Sequence, residues 1–169
     1  MKTTRLLAAI IFVAPFAAAA EPANPAIDYP GFQKLTVSLG SVRENMRVSE
    51  AEFLRMAAEP GTVILDARSA DKFANIHVKG ALHLAFTDFT ADALEKLIPD
   101  KSTRILIYCN NNFENEPVNF ASKSFTVSLN IQTFINLHAY GYKNVYELGP
   151  LLDVKTTRIP FEGLARPVK

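Results

Sequence analysis

The chain carries a single cysteine, Cys109, followed by three asparagines, Asn110, Asn111 and Asn112. A thiolate is a strong nucleophile and a thiol is not, so what Cys109 can do depends on its surroundings. One cysteine cannot close an internal disulfide. It serves as an inert thiol packed like a small hydrophobe, as an intermolecular partner, or as a reactive group. The five residues before it, Arg104–Tyr108 (RILIY), form the most strand-like run in the sequence, which places Cys109 at a strand end. A cysteine there, followed by a turn into a helix, faces backbone N–H groups and the positive end of that helix, and both favour an anion. Asparagine suits the turn because it tolerates left-handed and turn conformations. The plainer reading leaves Cys109 a buried strand-end thiol and the asparagines a turn only. His83 and His138 have no ligand spacing to each other or to Cys109, so no metal site is expected.

Elements that could position Cys109 follow from hydrophobic patterning. Ser49 and Glu52 have the spacing of a capping box, and Phe53, Leu54, Met56 and Ala57 fill one side of a helix that Pro60–Gly61 stops. Val63, Ile64 and Leu65 read as a buried strand ending at Asp66. Residues 69–74 read as a short helix, 81–86 as a strand, 90–97 as a helix, 128–140 as a helix closed by Gly141, and 145–148 as a last strand. Residues 32–44 are ambiguous. The alternation of Leu35, Val37 and Leu39 suggests a short strand or strap, after an extended, proline-containing stretch at 21–31. Strands alternating with helices predict an α/β fold: a mostly parallel sheet with helices on both faces and reactive groups at the carboxyl ends of its strands.

These stretches resemble a known family. LDARSADKFANIHVKGALHL at residues 65–84 is similar to the first half of a rhodanese domain, matching at Asp66, Arg68, Phe73, His77, Gly80 and Ala81 and departing at Asn75, Ile76 and Lys79. ILIYCNNN at 105–112 resembles the family's active-site strand and cysteine loop, and GYKNVYELGP at 141–150 its closing turn and last strand. The resemblance implies a three-layer fold with a five-stranded central sheet. It also implies a sulfurtransferase chemistry in which Cys109 carries a persulfide, with no cofactor. Asn110, Asn111, Asn112 and Phe113 would form the substrate or anion loop. Asp66, Arg68, His77 and Lys123 would be the supporting residues around it.

The pattern breaks after the cysteine. Gly141 lies 32 positions beyond Cys109, a longer interval than single-domain members usually have, and the excess falls at about 113–127. That inserted segment holds Phe113, Phe120 and Phe125 and reads equally as a lid or as a packed extra helix. Phosphoryl-transferring relatives place an arginine six residues after the cysteine; Asn115 stands there. Thiosulfate-using relatives tend to have basic loop residues, whereas the nearest downstream cation here is Lys123, behind Glu114 and Glu116. A binding module without turnover and a redox-sensing thiol protein remain the alternatives.

Whole-chain properties set the rest. The sequence has 169 residues, 49% of them hydrophobic and 21% charged, which is one globular domain's worth. A formal charge of +1 gives no reason to expect a nucleic-acid partner. Lys2 and Arg5, the apolar run at 6–16 and the small residues Ala17–Ala20 read as a signal peptide. Export to the periplasm or medium, without stable membrane insertion after cleavage, is therefore expected. The organisation expected is a signal at 1–20, an extension at 21–45, the domain at 46–155 and a tail at 156–169. A monomer whose partners are a small sulfur donor or a protein thiol is expected.

Overall fold

The computed structural model describes residues 24–164. The expected signal segment therefore lies outside the described residues. In chain order the elements are α1 (Tyr29–Asn45), β1 (Arg47–Val48), α2 (Glu50–Ala57), β2 (Thr62–Asp66), α3 (Ala70–Asn75), β3 (His77–Val78), β4 (Leu82–His83), α4 (Ala91–Leu97), β5 (Arg104–Tyr108), β6 (Phe113–Glu114), α5 (Leu129–Ala139), β7 (Val145–Leu148), β8 (Leu152–Asp153) and β9 (Phe161–Glu162). Five strands form the main sheet in the order β1-β7-β5-β2-β4, every neighbouring pair parallel. The expected α/β class, a five-stranded parallel sheet with helices on both faces, is what the chain adopts.

The alternation of a strand's side chains decides which half of the core each residue joins. On β5, Ile105 and Ile107 join the cluster that holds Leu39 of α1, Leu94 of α4 and Phe134 and Leu137 of α5. Leu106 and Tyr108 join the opposite cluster, with Phe53 and Met56 of α2 and with Phe113, Phe120 and Ile159. Both faces are apolar, which is why RILIY is continuous rather than alternating in sequence. By the same parity Cys109 continues the Ile105–Ile107 row, on the side of α1 and α5.

Both ends of the described chain differ from expectation. Residues 29–45 are a helix, not a strand or strap. Leu35, Leu39, Val42 and Met46 recur at helical spacing and join the cluster of Ile105 and Ile107, while Val37 is 82% exposed. Asp28 caps the helix by accepting from the Gly31 N–H at 2.8 Å. The segment after residue 155 is not a loose tail up to 164 either. Ile159 is fully buried, and β9 pairs antiparallel with β3. At α2, Ser49 accepts from the Glu52 N–H at 3.2 Å, but the Glu52 carboxylate pairs with Arg55 instead of returning to the cap.

Candidate functional site

β5 ends at Tyr108, and Asn110–Asn112 then make one 3-10 turn. Asparagine's tolerance of left-handed backbone is not what this turn uses: among the described non-glycine residues, positive φ occurs at Asn115, at 64°. Asn112 works through its side chain. Its Oδ1 accepts from the Cys109 N–H and from Asn130 Nδ2, each at 2.9 Å, and its Nδ2 donates to Leu148 O at 2.7 Å and Pro150 O at 3.2 Å. One buried amide thus joins the cysteine to the start of α5 and the end of β7, with all four of its hydrogen-bonding positions used.

Cys109 is 1% exposed and borders a pocket of about 260 Å³. Around it stand Arg43 from α1, Arg47 from β1, Asn111 and Asn112 from the turn, Ser128 and Asn130 from the start of α5, and Glu147 from β7, with the 82% exposed Phe125 beside them. Register explains the assembly. Glu147 is level with Ile107 on one side and with Arg47 on the other, and side chains at the same level of a sheet share a face. Burial pushes the Cys109 thiol above its ordinary pKa. The backbone N–H groups of Asn111 and Asn130 pull it back, the Glu147 carboxylate pushes it up again, and Arg68 opposes that. Both N–H groups favour the thiolate, one from the turn and one from the first turn of α5, whose N-terminal N–H groups favour negative charge.

Arg43 and Glu147 form an ion pair at 2.7 Å. Arg43 Nε, Asn130 Oδ1 and Glu147 Oε2 are buried without hydrogen-bond partners among the described residues. Buried polar groups are normally paired, so three orphans around one pocket mark a polar site rather than packed core.

The other residues expected near Cys109 sit elsewhere. Asn110 lies at a second cavity, with Arg68 and Lys123. Phe113 is buried on the opposite face of the sheet against Tyr108, Phe120 and Phe161; it is core, not part of the loop around the thiol. Asp66 and Arg68 form a buried pair at 2.6 Å, to which Tyr108 adds its hydroxyl through Asp66 Oδ2. Arg68 also donates to Ile76 O and Asn119 O, and its guanidinium lies 4.3 Å from the Phe120 ring centre, so it anchors the segment after the cysteine. His77 stacks on Phe73 at 3.8 Å, with its Nδ1 2.7 Å from Phe73 O. Among the described residues, no three His, Cys, Asp or Glu side chains gather as a metal site would need.

Arg43, Arg47, Asn130 and Glu147 were not anticipated. Two signals were available. The expected helix at 128–140 would present its first N–H groups to something, and Glu147 is a charge inside an otherwise apolar strand. Arg43 had no signal while its segment read as a strap.

Comparison with known proteins agrees with this architecture. A family model described as the rhodanese-like domain matches residues 49–149. No curated protein matches the sequence. The chain is similar to the rhodanese-like domain of an Anabaena sp. protein solved by NMR in solution, with a TM-score of 0.52 at 22% identity over 71% of this chain and 80% of that one. It is also similar to a Bacillus halodurans protein, with a TM-score of 0.50 at 16% identity over 80% and 88%. A rhodanese with anions from E. coli gives a TM-score of 0.41 at 20% identity over 60% and 98%. At these identities the likeness to the Anabaena and Bacillus proteins is one of fold.

Proposed function

Because the chain belongs to the rhodanese-like domain family, we propose that it moves sulfane sulfur through a persulfide on Cys109. The Cys109 thiolate attacks the outer sulfur of a donor such as a thiosulfonate or a polysulfide. A new S–S bond forms, the donor's S–S bond breaks, and the leaving group departs with the electron pair, as a sulfinate from the thiosulfonate or as a polysulfide or thiolate one sulfur shorter. A thiolate or cyanide acceptor then takes the outer sulfur and returns the Cys109 thiolate. The observation that carries this reading is the placement of Cys109 between the end of β5 and its 3-10 turn, bordering a polar pocket at the start of α5. The backbone N–H groups of Asn111 and Asn130 favour the negative charge that attack needs and that the outgoing thiolate regains. Asn115 donates to Asp153 at 2.9 Å and supplies no cation for an oxyanion, which weighs against phosphoryl transfer.

The test is intact mass after incubation with several sulfane donors. The wild-type chain should gain about 32 Da, the mass of one sulfur atom, on Cys109, and Cys109→Ser should gain nothing. Absence of the adduct with every donor would sink the proposal. A second reading, a binding module that keeps the fold without turnover, is favoured by the 1% exposure of Cys109; ligand binding that survives Cys109→Ser would support it.

The remaining expectations belong to the same proposal. We read residues 113–127 as an insertion, and partners as a small sulfur donor or a protein thiol. No described helix is long and apolar enough to cross a membrane. Export rests on the composition of residues 1–20, and a mature protein whose N-terminal sequencing begins at Glu21 would match it.

A further inference from the structure

The turn after Cys109 supplies no cation. Residues 110–116 contain neither lysine nor arginine, and Lys123 borders a different cavity. The charged side chains around the cysteine pocket are instead Arg43, Arg47 and Glu147. Both arginines precede residue 49, where the family match begins. Glu147, with its side chain 6% exposed, would by itself repel an anion; Arg43 cancels that charge at 2.7 Å. Arg47 has only a loose, exposed partner, Glu44 at 3.5 Å, so most of its charge remains for the pocket. The balance is one positive charge, added to the N–H groups at the start of α5.

We propose that Arg43 and Arg47, at the corner between α1 and β1, determine charge selectivity at Cys109: Arg43 by neutralising Glu147, and Arg47 by facing the incoming anion. This rests on Cys109 being the nucleophile, and it assigns to α1 and β1 a task that the cysteine's own turn does not perform.

The experiment compares iodoacetate with iodoacetamide. In both, the thiolate forms an S–C bond and iodide leaves with its electron pair. Any change in thiolate fraction therefore cancels in the ratio of the two rates, and the ratio reports the charge of the reagent alone. Arg47→Met should lower the anionic-to-neutral ratio about threefold, the effect of one unit charge roughly 7 Å away in a water-like medium. Arg43→Met should lower it further by baring Glu147, Glu147→Gln should raise it, and Arg43→Lys should hold it near the wild-type value. Raising salt should move the wild-type ratio toward that of Arg47→Met. If Arg43→Met does not fold, Arg47→Met and Glu147→Gln still decide the matter, because their expected shifts have opposite signs. An unchanged ratio in both overturns the proposal. No sulfur donor is involved, so a shifted ratio without any persulfide would leave this inference standing and sink sulfur transfer. If native Cys109 reacts with neither reagent, this inference falls, while persulfide formation on Cys109 still decides sulfur transfer.

Discussion

Asn112 and Arg68 are the two side chains that hold the cysteine region in shape, one on each face of the sheet. Truncating Asn112→Ala removes four hydrogen bonds and leaves the Cys109 N–H without its acceptor. The expected cost is about 1–3 kcal/mol or more in urea unfolding, together with slower alkylation of Cys109. Asp66→Ala leaves the Arg68 guanidinium buried without its counter-ion, so a loss of about 3–5 kcal/mol is expected in the same measurement. The thiol itself gives a pH signature. Burial holds its proton beyond the point where an ordinary thiol releases it. The alkylation rate of native Cys109 should therefore keep rising with pH after that of a free thiol has levelled off. The sign for stability is the reverse. Above the ordinary thiol pKa the unfolded chain has lost a proton that the folded chain retains, so folding stability falls as pH rises there, and Cys109→Ser should flatten that fall.

Helices α1 and α5 together make the wall opposite the turn, and their legibility differed. α5 was readable because Phe134 and Leu137 recur at helical spacing and Gly141 closes it with a φ of 94°. β5 was readable because a strand covered on both faces is apolar at nearly every position. α1 was not, because Leu35, Val37 and Leu39 happen to alternate, and only the packing against α5 shows that Val37 does not belong with the other two. β1 spans two residues, too few for any pattern, so the strand that carries Arg47 left no trace. Two of the pocket's three charges, Arg43 and Arg47, were hidden for these two reasons. Leu39→Ala should cost about 2–3 kcal/mol in urea unfolding and, by loosening α1, should also reduce the iodoacetate preference that Arg43 and Arg47 impose. A stability loss with the preference intact would separate α1's packing from its part in the pocket.

On the scale of the molecule, the chain returns to its beginning. β1 pairs with β7, β3 pairs with β9, and Thr157 reaches back to Glu50 with a 2.5 Å hydrogen bond. Ile159→Ala should destabilise the whole domain by about 2–5 kcal/mol, because Ile159 sits in the same cluster as Phe53 and Leu106. The ion pair between Arg43 and Glu147 spans 104 positions, and this separation has a consequence in time. Contacts so distant in sequence form late, after the loops between them have closed. As the chain emerges during synthesis, the thiol is therefore made before α5 and β7, which complete the wall that shelters it. Refolding from urea under air is accordingly expected to trap covalent pairs through Cys109, visible on a non-reducing gel and absent when reductant is present. The same protein kept native under the same air should show none.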